Sequence, residues 1–367
     1  LLNTSRKKKI NLITGVPDSL LKNLDNSLNK IYKQKHIIST NEGSAIALAT
    51  GSYLATKKLS LVYMQNSGLG NAINPLNSIV DKQVYGIPLI LLIGWRGEII
   101  KNKTIRDEPQ HKKQGLTTLS QLKNLNIPYI IISKNTKSYK KNIDNLIKKT
   151  IKSKHPVAIV VRKNTFSKKK ISINQKKIIE NFRENFIEVI LKNLDKKFIV
   201  VSTTGMISRE AYEIKKKLKL ENLNLFIVVG GMGHANQIAA GIARQKKNKI
   251  ILCLDGDGSV LMHLGSLALN SKLANFKHII LNNFSHDSVG GQPTVSKNLD
   301  FELLSKGIGF KNFQLIKNNL SQLDIKNFLK KKGSSLMVIN CKKGYRANLS
   351  RPKESLENLK KSFMKNI

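Results

Sequence analysis

Lys249-Ile250-Ile251-Leu252-Cys253-Leu254, running into Asp255-Gly256-Asp257-Gly258-Ser259, is the stretch on which the reading of this chain turns. Its first half is a short apolar run bounded by turn residues, the pattern of a strand buried on both faces. A second such run, His278 to Leu281, follows Asn270-Ser271 and ends in Asn282-Asn283. Asp257 and Asn283 each sit just past a strand, so in a parallel sheet both emerge at the same edge. An acidic oxygen and an amide oxygen converging there suit a small hard cation such as Mg²⁺, with positions left over for phosphate oxygens. Asp-Gly is also common turn chemistry after a strand, and the triplet alone reads equally well as a turn.

Working outward, the same rhythm recurs. Apolar runs at 59–64, 88–94, 128–133, 156–161, 197–202, 225–229, 249–254, 277–281 and 335–341 alternate with amphipathic stretches. Such alternation predicts an α/β protein with doubly wound parallel sheets. A chain of 367 residues exceeds one ordinary core. The strand His155 to Lys163 closes the first half, and a polar, Lys-rich, Gly-free stretch from Asn164 to about Lys177 follows it. Two similar α/β domains are therefore expected, 1–165 and 181–367, joined by a linker at 166–180, with no internal repeat visible by residue matching.

The formal charge is +41, from 64 Lys and Arg against 23 Asp and Glu. This invites a nucleic-acid reading, but the basic residues are mostly Lys, crowd into helix faces and connectors, and lack interleaved aromatics. A solvated surface of compositional origin is expected, with at most a weak pull on anionic substrates. Cys253 and Cys341 lie in apolar runs and read as buried free thiols. No apolar run approaches the roughly 20 residues of a membrane span. The cytoplasm is the expected location, and the opening at Leu1 without an initiator Met suggests a few missing residues.

Three further motifs carry chemistry. Glu42 precedes a helix of small residues expected over 45–56, and reads as a helix-dipole charge or as a functional acid. Gly230-Gly231-Met232-Gly233 follows a strand and precedes an Ala- and Gly-rich helix, where glycines permit close backbone approach to an anion. Thr203, Thr204 and Gly205 come straight after a strand, placed for phosphate oxygens together with Gly258 and Ser259.

The longer segments Thr14 to Leu21, Asn41 to Ala55, Met64 to Leu76, Ile93 to Glu98, Arg106 to Gly115 and Asn282 to Thr294 resemble the thiamine-diphosphate-dependent 2-oxoacid decarboxylases, and within them the phosphonopyruvate decarboxylases. The resemblance implies a pyrimidine-binding first domain, a diphosphate-binding second domain and no middle domain. It implies thiamine diphosphate and Mg²⁺ as cofactors, the metal held by Asp257, Asn283 and the carbonyl of Ser285. Glu42 would meet the aminopyrimidine and Met232 would wedge under the ring. Gly230, Gly231, Thr203, Thr204, Gly205, Gly258, Ser259 and His286 would complete the cofactor contacts. Asp18, His111 and His286, besides Glu42, are the expected catalytic groups, with Gln110 and Asp287 as further candidates for proton handling. Arg96, Arg106, Gln110, His111 and Asp287 are expected around the substrate, and His36, His155, His263 and His278 are taken as structural. Gly231 stands where Ser is more common, Arg106 where Lys is usual, and Phe284-Ser285 where small residues are usual. The implied reaction is decarboxylation of 3-phosphonopyruvate to phosphonoacetaldehyde, a step toward 2-aminoethylphosphonate and related phosphonates, with sulfopyruvate as the rival substrate. Cofactor sites shared between subunits imply a homo-oligomer of at least two chains, with no nucleic-acid or membrane partner.

Overall fold

The computed structural model describes residues 10–24, 28, 34–100, 103–105, 107–166 and 182–367. The chain divides into two compact units, Leu1–Ile173 and Asn174–Ile367. Apart from residue 166, the linker expected at 166–180 lies outside the described residues, as does Arg106.

The first unit is built on strands β1 (Leu12–Gly15), β2 (His36–Ile38), β3 (Ser60–Gln65), β4 (Ile90–Gly94), β5 (Tyr129–Ile132) and β6 (Val157–Val161). They lie in the order β2-β1-β3-β4-β6-β5, and every ladder is parallel. The second unit has β7 (Phe198–Ser202), β8 (Asn224–Ile227), β9 (Ile250–Gly256), β10 (Phe276–Asn282), β11 (Asn312–Ile316) and β12 (Ser335–Asn340). Their order, β8-β7-β9-β10-β12-β11, repeats the first unit strand for strand, again with parallel ladders.

Each sheet is buried on both faces, which is why the central strands read as unbroken apolar runs. In the first unit Leu61, Tyr63, Ile90, Leu92, Ile159 and Val161 pack to one side, and Val62, Met64, Leu91, Ile93 and Val160 to the other. In the second, Leu252, Leu254, Ile279 and Leu281 face one core, with Ile251, Cys253 and Ile280 facing the opposite one.

Helices α1 (Glu42–Thr56), α2 (Leu69–Ser78), α3 (Pro109–Asn124) and α4 (Tyr139–Ser153) belong to the first unit. The second contains α5 (Arg183–Lys192), α6 (Met206–Lys217), α7 (Ala235–Gln245) and α8 (Asp257–Met262), among others. Helix α4 shows where the positive charge goes. Ile143, Leu146, Ile147 and Thr150 are buried at helical spacing, while Lys141, Lys148, Lys149 and Lys152 are exposed on the other side. Helix α1 starts earlier than the expected Ala45, because the Asn41 side chain caps it by accepting from Ser44 N at 2.8 Å.

The turn after β4 is held tightly by α3. Trp95 is buried and its Nε1–H donates to the Gly115 carbonyl at 3.0 Å. Gly97 sits at φ +64°, and a Cβ on Gly115 would overlap the Gly97 carbonyl. Gly115→Ala is therefore expected to lower the unfolding free energy by about 1–3 kcal/mol through overpacking, measurable by urea denaturation.

Candidate active site

A parallel doubly wound sheet presents its crossover loops at the carboxyl ends of its strands, and the crevice there is the usual ligand site. In the first unit that edge gathers Asp18 after β1, Glu42 after β2, Asn66 to Gly68 after β3 and Arg96 after β4. Glu42 is buried at the first position of α1, and its Oε2 accepts from Asn71 Nδ2 at 2.8 Å. Burial pushes its carboxyl up from the ordinary value, against the pull of the Asn71 amide. Gly68 lies directly against this carboxyl, and a Cβ there would overlap it.

Asp18 is fully buried. Loss of water pushes its carboxyl up to about 6, with the nearby Arg96 charge and the Leu20 amide pulling the other way. Gly94, the last residue of β4, leaves the space that this carboxylate fills. Arg96 forms a two-pronged pair with Asp107, Nε to Oδ2 at 2.8 Å and Nη2 to Oδ1 at 2.5 Å, and its Nη1 donates to Ser19 Oγ at 3.0 Å. Partial burial alone would raise the Asp107 carboxyl, yet this fork holds it well below the usual range. Arg96, expected beside the substrate, is thus already matched by a carboxylate. Gln110 donates to Glu108 Oε2 at 2.6 Å, and His111 lies near the start of α3.

In the second unit the corresponding edge is knitted by hydroxyls. Thr203 Oγ1 and Ser259 Oγ are 2.7 Å apart, Ser259 Oγ accepts from Gly233 N at 3.1 Å, and Thr204 Oγ1 accepts from Gly230 N at 3.1 Å. The Gly-rich turn is fastened by these bonds to Thr204, just past the end of β7, and to α8, with Gly205, Gly230, Gly231 and Gly233 all at positive φ. Met232 is half-buried on that turn. His234 stacks on His263, ring centroids 4.6 Å apart.

Asp257 opens α8 and is 2 % exposed. Its Oδ2 accepts from Thr294 Oγ1 at 2.5 Å and Ser296 Oγ at 2.9 Å, and Ser296 Oγ also reaches Asn282 Oδ1 at 3.1 Å. The two halves of the sequence motif are thereby tied through one hydroxyl. Burial pushes the Asp257 carboxyl up, the hydroxyls opposing it, and no ion pair engages it among the described residues. A buried carboxylate linked through the Ser296 hydroxyl to the Asn282 amide oxygen offers hard oxygen donors of the kind a divalent ion takes.

Asn283 is buried, its Nδ2 donating to Asp287 Oδ2 at 2.6 Å and its Oδ1 accepting from Ser285 N at 3.0 Å. Between them Phe284 sits at φ +56°, in the left-handed region. That conformation is uncommon for any residue bearing a Cβ, whereas glycine adopts it at no steric cost. His286 rests against Gly258, and burial pushes its imidazole down to about 4, with Asp287 opposing.

The first-unit candidates Asp18, Glu42 and Arg96 share one sheet edge; Thr203, Thr204, Gly230, Asp257, Ser259, Asn283 and His286 share another. Sequence reasoning missed Asn71, Asp107, Thr294 and Ser296 as individuals, although the resembling segments contain the first three. It also missed Arg183 and Glu210, buried partners at 2.7 Å whose positions on charge-rich helices look like solvated faces. Cys253 and Cys341 are free and buried. His278 faces Asp255 at 3.4 Å inside the second unit. No described helix is long and apolar enough to cross a membrane.

The Asp18 shift has a thermodynamic sign. With its carboxyl raised by burial from an ordinary value of about 3.8 to about 6, the native state binds the extra proton. The resulting stability is fully present below about pH 4 and is lost as pH rises through 6. Asp18→Asn should remove that dependence, gaining up to about 3 kcal/mol relative to the parent between pH 4 and pH 7, as read from urea unfolding at each pH.

The sequence matches two protein-family models in chain order. The model described as "Thiamine pyrophosphate enzyme, N-terminal TPP binding domain" matches residues 1–122, and the corresponding C-terminal TPP binding domain matches residues 203–339. A phosphonopyruvate decarboxylase of Streptomyces hygroscopicus is 28% identical over 363 residues, covering 94% of this chain and 87% of the relative. One from Streptomyces viridochromogenes is 29% identical over 319 residues, covering 82% and 77%. The sulfopyruvate decarboxylase subunit alpha of Methanococcus maripaludis is 36% identical over 152 residues, covering 41% of this chain and 86% of that subunit. With both halves matched in chain order around two sheets of one topology, the chain belongs to the thiamine pyrophosphate enzyme family.

Proposed function

We propose that this protein is a thiamine-diphosphate- and Mg²⁺-dependent decarboxylase that converts 3-phosphonopyruvate to phosphonoacetaldehyde and CO₂, a step in phosphonate biosynthesis. The observation that carries the reading is that one chain holds both a buried acid of raised pKa at the pyrimidine-side sheet edge, Glu42, and a buried oxygen donor set at the diphosphate-side edge, Asp257 and Asn283. Phosphonopyruvate decarboxylases similar over 94% and 82% of its length support the substrate.

When bound, the cofactor supplies the electron sink into which the bond to the departing carboxyl collapses. The chain's own residues do the rest. Glu42, destabilised as a carboxylate by burial and oriented by Asn71, would hold or release a proton at its carboxyl facing the aminopyrimidine. Asp257, Asn283 and the Ser285 carbonyl would hold Mg²⁺. The hydroxyls of Thr203, Thr204 and Ser259, with Gly205 and Gly258 beside them, would receive the diphosphate. Asp18, with a pKa near 6, suits proton transfer near neutrality. Arg96 offers a fixed cationic face to an anionic tail, its approach set by Asp107.

A second reading, sulfopyruvate as substrate, is favoured by one observation: sulfopyruvate decarboxylase subunits match at 36% and 32% identity, higher than the full-length relatives, though over 41% and 42% of this chain. Purified protein with thiamine diphosphate and Mg²⁺ is therefore to be offered phosphonopyruvate, sulfopyruvate and pyruvate separately, reading CO₂ and aldehyde. Preference for phosphonopyruvate is expected, and preference for sulfopyruvate would transfer the assignment. Glu42→Gln should cut turnover by roughly 10²–10⁴-fold, the span of a lost general acid–base.

The working enzyme is proposed to be a homo-oligomer in which each site draws its two edges from different copies. Mixing inactive Glu42→Gln and Asp257→Asn proteins should then restore about a quarter of parental activity for random pairing into two-fold dimers. A mixture as inactive as its components would exclude shared sites.

A further inference from the structure

We infer that Asp287 is a positioning residue for the divalent cation, locking the Asn283 amide so that its oxygen stays available as a ligand; this rests on the metal reading above. The Asn283 amide is gripped by two one-way partners. The Asp287 carboxylate can only accept, and it takes Nδ2–H at 2.6 Å; the Ser285 backbone N–H can only donate, and it meets Oδ1 at 3.0 Å. Flipping the amide would set oxygen against carboxylate and NH₂ against N–H, so the flip is excluded by chemistry at both ends. Oδ1 keeps a second lone pair for a cation.

Asp287 is itself immobilised from three separate elements. Its Oδ2 also accepts from Arg183 Nη1 at 3.2 Å and from Gly344 N at 2.9 Å, past the end of β12. Arg183, on α5, is clamped by both oxygens of Glu210 on α6, at 2.7 and 2.8 Å. Side-chain exposures of 5 % for Arg183, 1 % for Glu210 and 8 % for Asp287 show that the relay is shut away from solvent. An oxygen already holding three donors, on a negatively charged group, is poorly suited to an anionic substrate, and the substrate role expected for Asp287 gives way to this one.

The test is Mn²⁺ affinity, followed by the free-ion EPR signal at saturating thiamine diphosphate, for the full-length parent, Asp287→Asn, Arg183→Lys, Asn283→Ala and the Asp287→Asn/Asn283→Ala double variant. Asp287→Asn should weaken Mn²⁺ binding roughly 10–100-fold, as loss of an outer-shell partner typically does. Arg183→Lys, which keeps the charge but loses the fork, should weaken it less. In the Asn283→Ala background Asp287→Asn should add nothing, since both act through one amide. KM for the oxoacid at saturating Mn²⁺ should stay put. Unchanged Mn²⁺ affinity in folded Asp287→Asn, or a full additional loss in the double variant, overturns the assignment. A raised KM with unchanged metal affinity overturns it in favour of substrate contact. Should Asp287→Asn fail to fold, Arg183→Lys carries the same comparison, and parental Mn²⁺ affinity there overturns it too. A parent that binds no Mn²⁺ with the cofactor would sink the thiamine-diphosphate reading itself.

Discussion

Parallel strands cannot be joined by tight turns, so every connection must climb out of the sheet and return across one of its faces. In both units this constraint leaves the sheet faces buried and one edge open, the carboxyl ends of the strands. All polar groups that must meet a ligand are forced to that edge. Asp18, Glu42 and Arg96 in one unit and Thr203, Gly230, Asp257 and Asn283 in the other are found there for the same reason.

Crowding carboxylates into a dry edge raises an electrostatic difficulty that the protein meets differently at each position. Asp107 is matched by a forked guanidinium, and its charge is secure. Glu42 has an amide, Asp257 has two hydroxyls, and Asp18 has a guanidinium at longer range; burial wins at all three, and each is poised toward its protonated form. The distinction separates scaffold from chemistry. A fully compensated carboxylate fixes a loop, whereas a partly compensated one remains able to trade its charge for a proton or a metal ion.

The sheets were legible in the sequence because strands buried on both faces have no alternation to hide them, and β3 to β10 and β12 all fall on continuous apolar runs. The expected runs omitted β1, β2 and β11. Two of these, β2 and β11, are edge strands only partly buried, and with β1 they are short, from 3 to 5 residues. The Asp257 and Asn283 positions were readable because turn glycines and amides break an apolar run abruptly. Arg183 and Glu210 were not, because a buried ion pair on amphipathic helices has the same letters and spacing as a solvated one. The resemblance carries segments but not contacts: Thr294 ends one such segment, and only the fold brings its hydroxyl to Asp257.

The strand-for-strand repetition of one topology has a consequence for how such a molecule can change over time. Each unit closes both faces of its sheet with apolar residues of its own, so neither borrows its core from the other. Natural selection can therefore retune the interior of one half without rebuilding that of the other.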